Sequence, residues 1–186
     1  MEKSAFILND NGNLNQAIIN YENNEISIRM FDVNYELLGY MNLFIQKNNR
    51  ILLSEIYCYD KYRGSNIASI ISELADYLLK DYRDYVIRGR YYPSQMSSDI
   101  LSYPRSKEEL DLRARNFYNK NGYKILSRDE FLKNKEEYSF INDEYDFTYN
   151  GGKTNTIVYK VIKDKDYNFY EQDGLIYYNN SKSVNR

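Results

Sequence analysis

Ile56-Tyr57-Cys58-Tyr59-Asp60-Lys61-Tyr62-Arg63-Gly64-Ser65-Asn66-Ile67-Ala68-Ser69 reads as the end of a strand, a short basic turn and the start of a helix. The first turn of a helix carries backbone N–H groups without intrahelical partners and the positive end of the helix dipole. Such a turn is built to receive an anion. Gly64 allows a close backbone approach, and Ala68 keeps the helix start thin. The amides from Ser65 through Asn66, Ile67 and Ala68 to Ser69 could face phosphate oxygens, with the Ser69 hydroxyl and the charge of Arg63 or Lys61 beside them. The plain alternative is an ordinary strand-to-helix turn with a surface arginine.

Outward from this turn the pattern is strand, helix, strand. Ile67, Ile70, Ile71, Leu74 and Leu78 recur at helical spacing and predict a helix over Asn66 to Lys80. Tyr85 to Tyr91 predicts a strand, and a strand–helix–strand unit places its two strands parallel. Upstream, Leu14 to Tyr21, Glu25 to Phe31, Glu36 to Gln46 and Ile51 to Tyr59 read as consecutive antiparallel strands joined by Asn-rich turns. Gly39 marks a bulge or a close approach. Downstream, Tyr92 to Arg105 reads as a loop, and Ser106-Lys107-Glu108-Glu109 has capping-box spacing. The helix it starts runs to about Asn121 and stops at Gly122, and Tyr123 to Leu126 is a short strand. Ser127 caps a short helix to about Glu137. Tyr145 to Tyr149 and Thr156 to Ile162 suggest a hairpin, the second being the last core strand, and residues 164–186 a variable polar tail. No linker interrupts the 186 residues, so one domain is expected.

Composition narrows the chemistry. A net charge of −2 argues against general nucleic-acid binding. No apolar run is long enough to span a bilayer and no signal peptide is apparent, so a cytoplasmic location without membrane contact is expected. The chain has one cysteine and no histidine, which excludes an internal disulfide and Ser-His or Cys-His catalysis, and leaves no metal site to expect. A general base must be a carboxylate, tyrosine, lysine or water chain. The 22 tyrosines suggest an AT-rich gene and not an aromatic binding surface.

Two motifs in order carry a resemblance. Arg63-Gly64-Ser65-Asn66-Ile67-Ala68 resembles the phosphate turn of the GNAT-type N-acetyltransferase superfamily, with Asn66 in place of its second glycine. Asn is the side-chain-bearing residue that best tolerates a left-handed backbone, so the turn can form. Later, Ala114, Phe117, Tyr118, Lys120, Gly122 and Tyr123 match the family's second motif, with Asp111 at its Asn position. The resemblance covers about Ile51 to Leu126. It implies an α/β fold with a mixed, mostly antiparallel sheet, flanking helices and a splayed parallel strand pair.

The resemblance also implies acetyl-CoA as co-substrate and direct attack by an amine in a ternary complex. The cofactor would lie on Tyr57, Cys58, residues 63–69 and Asp111, with main-chain groups near Tyr57 and Cys58 polarising the thioester. Tyr118 would protonate the departing thiolate, and its alternative role is core packing. Glu55 is the first candidate base, and the alternative is a strand carboxylate paired with a neighbour. Arg88 and Arg90 share a strand face, where they could bind an acidic part of the acceptor or pair with Asp and Glu. The acceptor is a small-molecule or protein amine, and edge strands leave room for a homodimer. The rival reading is an inactive GNAT-like module that binds acyl-CoA or a protein partner.

Overall fold

The computed structural model describes residues 1–8, 12, 14–63, 65–93, 104–149 and 151–179. Five strands come first: β1 (Glu2–Leu8), β2 (Leu14–Glu22), β3 (Glu25–Phe31), β4 (Leu37–Gln46) and β5 (Arg50–Cys58). A 3-10 turn at Asp60–Tyr62 leads to α1 (Ile67–Leu78), then β6 (Val86–Arg90). After α2 (Lys107–Lys120) come β7 (Lys124–Ser127), α3 (Arg128–Lys133) and α4 (Asp143–Asp146). A two-stranded ribbon of β8 (Thr148–Tyr149) and β9 (Gly152–Lys153) stands apart from the main sheet. The last strands are β10 (Thr156–Val161), β11 (Phe169–Gln172) and β12 (Leu175–Tyr178).

Among the described residues ten strands form one sheet in the order β11-β12-β1-β2-β3-β4-β5-β6-β10-β7. It is an α/β fold, antiparallel apart from two parallel pairs, β5 with β6 and β1 with β12. The β5–β6 pairing runs only from Arg50↔Val86 to Leu53↔Gly89. Beyond it, Ser54 bulges between the Asn42↔Glu55 and Leu43↔Leu53 pairs of β4 and β5. From there β5 continues with β4 alone, so the sheet splits open along Glu55 to Cys58. A bulge adds bend and twist where it sits, which gives the splay a local cause.

One face of β1–β5 buries Ala5, Ile7, Ala17, Ile19, Ile26, Ile28, Met30, Met41 and Leu43 beneath α1 and the chain around Phe169. A second apolar cluster, with Phe131, Phe147, Leu126 and Ile157, covers the opposite face of the β6–β10–β7 half. Gly39 lies where a Cβ would meet the Tyr57 carbonyl oxygen at 2.6 Å and Ile71 Cδ1 at 3.3 Å. Gly39→Ala is therefore expected to push β5 at the splay and cost about 1–3 kcal/mol. Urea denaturation measures it; an unchanged midpoint would show that the strands yield freely.

Local signals account for most elements. The turns at Asn23-Asn24 and Asn48-Asn49 hold both residues at positive φ, the conformation that suits two-residue hairpins. Ser106 Oγ accepts from the Glu109 N–H at 3.1 Å, and Gly122 sits at φ 77° past the end of α2. Three expectations are corrected. The helix after Ser127 stops at Lys133, short of Glu137. The expected hairpin of Tyr145–Tyr149 with Thr156–Ile162 does not form: Asn142 Oδ1 accepts from the Glu144 and Tyr145 N–H groups and winds Asp143–Asp146 into a helical turn, Thr148–Tyr149 pairs with Gly152–Lys153, and Thr156–Val161 pairs with β6 and β7. Residues 164–178 are no loose tail: β11 and β12 form a hairpin that returns beside β1, while the end of the expected tail, residues 180–186, lies outside the described residues. Its turn, Asp173-Gly174, has φ of 52° and 78°. An Asp-Gly pair between apolar runs is a strong hairpin signal that could have been read.

Candidate active site

A cavity of about 590 Å³ opens where β5 and β6 diverge. Three elements wall it: the end of β5 with Ile56, Tyr57 and Cys58, the start of α1, and one face of α2. On α2 the lining residues Leu110, Arg113, Ala114, Phe117 and Tyr118 fall at three- and four-residue steps, which is one helix face. None of the α2 residues is fully buried, because the face that would pack on the sheet borders this space.

The turn into α1 is fixed by its own bonds. The Tyr62 N–H reaches the Tyr59 carbonyl at 2.9 Å, the Ser65 N–H reaches the Tyr62 carbonyl at 3.2 Å, and the Ser65 hydroxyl donates to that same carbonyl. Asn66 caps α1 with φ 61° and ψ 7°, in the left-handed region. The first intrahelical bond is from the Ile70 N–H to the Asn66 carbonyl at 2.9 Å, so the amides of Ile67, Ala68 and Ser69 precede it. No acidic side chain stands in that first turn. The Asn66 side chain turns toward α2, where Oδ1 accepts from Lys120 Nζ at 2.8 Å. Asn121 Nδ2 donates to Ser69 Oγ at 3.2 Å, so the C-terminal end of α2 is stitched to the N-terminal end of α1. Lys160 supports the same junction from below, with Nζ 2.5 Å from Asp76 and 2.9 Å from the Asn121 carbonyl.

Of the residues singled out in the sequence, Tyr57, Cys58, Arg63, Asn66, Ile67, Ala68, Ser69 and Tyr118 line the cavity. Gly64 lies outside the described residues, and Ser65 stands beside the lining. Arg63 Nε donates to the Cys58 carbonyl at 3.1 Å, and its guanidinium lies 5.5 Å from the Tyr57 ring centre. Tyr118 packs against Tyr91, Phe117 and Tyr123 at 6.1, 5.2 and 5.6 Å between ring centres. Burial pushes its hydroxyl up to about 12.

Four others lie elsewhere. Asp111 commits both carboxylate oxygens, one to the Tyr91 hydroxyl at 2.8 Å and one to Arg115 Nε at 2.7 Å, and does not line the cavity. Arg115 and Tyr91 accordingly hold its carboxyl below the usual range. Glu55 is exposed, accepts from the Tyr40 hydroxyl at 2.7 Å and stands outside the lining. Arg88 is buried on the far face of the sheet, with Nε 3.4 Å from Asp146 and Nη1 donating to the Thr148 carbonyl at 3.0 Å. It follows the pairing alternative and does not point to an acceptor. Arg90 is exposed and stacks over Tyr92 at 4.6 Å.

Sequence reading missed Arg105, Arg113 and Lys120 as lining cations. With Arg63 they bring four positive side chains to the lining, two of which, Arg105 and Arg113, share the Glu109 carboxylate at 2.5 and 3.3 Å. The signal for two of them was the helical spacing of Arg113 and Lys120 with Leu110 and Phe117. Among the described residues no group of three or more Cys, Asp or Glu could hold a metal ion, and no helix is long and apolar enough to cross a membrane.

No protein-family model matches the chain, and no curated protein matches it in sequence. Solved structures do match in shape. An acetyltransferase of the GNAT family from Staphylococcus aureus Mu50 superposes with a TM-score of 0.50 at 13% identity, covering 75% of this chain and 69% of that one. An acetoin utilization protein from Exiguobacterium sibiricum gives 0.53 at 14% identity, over 76% of this chain and 63% of that one. The splayed β5–β6 pair, the helix that starts at its mouth and the mixed sheet around them are, together with these matches, the GNAT-type N-acetyltransferase fold.

Proposed function

We propose that the chain transfers an acetyl group from acetyl-CoA to a primary amine in a ternary complex. The observation that carries this reading is the cavity at the splay, where a helix N-terminus and the cations Arg63 and Lys120 meet the Tyr118 face of α2, with Arg105 and Arg113 at its rim paired to Glu109. An acyl donor with a pyrophosphate suits that lining: amides of Ile67 to Ser69 face the phosphates and Arg63 and Lys120 flank them. The thioester then lies beside Ile56 to Cys58, where main-chain N–H groups left without a β6 partner can polarise its carbonyl.

The amine nitrogen attacks the carbonyl carbon, a C–N bond forms and the C–S bond breaks. The nitrogen loses its proton to water, with Glu55, held by Tyr40, as the carboxylate on that side of the strand. The departing sulfur receives a hydrogen bond from the Tyr118 hydroxyl and takes its proton from solvent. Arg88 and Asp111 have no contact role in this reading, because each is already engaged.

A second reading, a binding module without turnover, is favoured by the position of Glu55 outside the cavity. Calorimetry with acetyl-CoA, followed by thiol release over a panel of amines, separates the two. Binding is expected in the micromolar range and to weaken about a hundredfold or more in Arg63→Glu/Ala68→Asp, because a carboxylate at the helix start suits the fold and repels phosphate. Binding without thiol release for any amine would favour the module. No binding, or binding that ignores the double substitution, would sink acyl transfer at this site and leave only a module that takes a protein partner.

A further inference from the structure

Lys160 and Asp76 form a buried ion pair that the proposed reaction does not use, with side chains 14% and 7% exposed. Lys160 Nζ, on β10, lies 2.5 Å from Asp76 Oδ2 on α1 and donates to the carbonyl of Asn121, just past α2, at 2.9 Å. The Tyr123 ring centre stands 5.0 Å from the same nitrogen, within cation–π range. The Lys160 stem passes close to Gly122, where a Cβ would meet Cε at 3.6 Å. One ammonium therefore joins β10, α1 and the C-terminal end of α2. A cation suits that end, where the last carbonyls lack intrahelical partners. Burial pulls the ammonium below its usual range, so the charge depends on these partners.

Asn121 passes this hold on to the cavity. Its carbonyl accepts from Lys160 while its Nδ2 donates to Ser69 Oγ at 3.2 Å. Ser69 and Asp76 are seven residues apart on α1, which puts them on one helix face about 10 Å from each other. α1 is thus fastened twice to the same junction, by Lys160 at Asp76 and by Asn121 at Ser69. Ser69 belongs to the turn that lines the cavity, and Phe117 and Tyr118, one turn back from Asn121, line the opposite wall. We propose that Lys160 is a positioning residue for the anion-binding turn: by holding Asn121 it sets how far apart the α1 and α2 walls stand, and so how well they fit the donor's pyrophosphate. This rests on the reading that acetyl-CoA occupies the cavity. Lys165 supplies a matched contrast. Its Nζ is also 2.5 Å from Asp76 Oδ2, but among the described residues its partners are Asp76 and the Tyr167 ring.

Calorimetry with acetyl-CoA on Lys160→Met and Lys165→Met tests the proposal. Each substitution removes one positive charge beside Asp76, so the long-range field at the cavity changes alike. Lys160→Met is expected to weaken acetyl-CoA binding about tenfold or more, because a small misplacement of binding groups is felt on that scale, and Lys165→Met by less than about twofold. A lowered melting temperature in Lys160→Met with affinity unchanged well below the melt would overturn the proposal, since a purely structural role predicts that. Equal losses in both variants would also overturn it, because the charge beside Asp76 and not the hold on Asn121 would then decide affinity. A wild type that takes up no acetyl-CoA is a different failure: it sinks acyl transfer at this site, and the role of Lys160 falls with it. Where Lys160→Met does not fold, both substitutions are made together with Asp76→Asn, which removes the stranded carboxylate charge, and the same difference between them is expected.

Discussion

Replacing Tyr118 with phenylalanine is expected to lower turnover about a hundredfold or more while changing acetyl-CoA affinity little. Phenylalanine keeps the ring contacts to Tyr91, Phe117 and Tyr123 and removes only the hydroxyl. Any loss therefore reports the O–H. Burial holds that hydroxyl up to about 12, so it stays protonated throughout the pH range in which a protein is assayed. An ordinary thiol ionises near 8.5, so the leaving thiolate is a much weaker base than the Tyr118 phenolate. In the proposed reaction the phenol therefore acts as a hydrogen-bond donor to the thiolate, and solvent supplies the proton. The pH profile follows: activity rises as the acceptor ammonium deprotonates and shows no Tyr118 limb near pH 10, where an ordinary tyrosine would titrate. Thiol release measured from pH 6 to 10.5, with calorimetry on the same variant, checks both parts. Unchanged turnover would leave Tyr118 as packing, and a parallel loss of binding would make it a binding residue.

The second large effect lies away from the cavity. Asp146 is fully buried, with Oδ1 3.5 Å from Arg50 and 3.4 Å from Arg88. Oδ2 accepts from the Asn142 N–H at 2.7 Å, closing α4 on itself. Burial pushes the Asp146 carboxyl above its usual range and pulls the Arg88 guanidinium below its own. The group is therefore costly to bury and more costly to break. Asp146→Asn keeps an acceptor for Asn142 but strands two guanidinium groups, and a loss of about 3–5 kcal/mol is expected. For a chain of this size that lowers the melting temperature by roughly 10 °C. Asp146→Asn combined with Arg88→Met should recover part of the loss, because the stranded charge goes with it. A melt unchanged by Asp146→Asn alone would mean that water reaches the arginines.

The fold was legible wherever one residue dictates local conformation. Asn66 is the sharpest case: the turn before α1 needs a left-handed residue, the position carries the side-chain-bearing type most tolerant of positive φ, and it adopts φ 61°. Ser106, Gly122 and the spacing of Ile67, Ile71 and Leu74 worked the same way. The lining of the candidate cavity was legible along β5 and α1, where neighbours in sequence are neighbours in space. It was not legible where partners come from far along the chain. Nothing local to Arg88 announces Asp146, and nothing local to Glu55 says that the bulge at Ser54 leaves it beside Tyr40 and outside the cavity. Asp111 matched a motif position, but Tyr91 and Arg115 hold both its oxygens.

The parallel pairing of β12 with β1 has a consequence for how the chain is made. β1 receives its second neighbour only when Ile176 and Tyr177 arrive beside Ala5 and Phe6, and Lys3 finds Glu171 at 3.0 Å at the same stage. At about 5–20 residues per second on the ribosome, that strand waits on the order of ten seconds with one side unsatisfied. Contacts of such long range also slow folding after release. During that interval the unpaired N–H and C=O groups along β1 form an open edge, a place where a nascent chain could join its neighbour instead of itself.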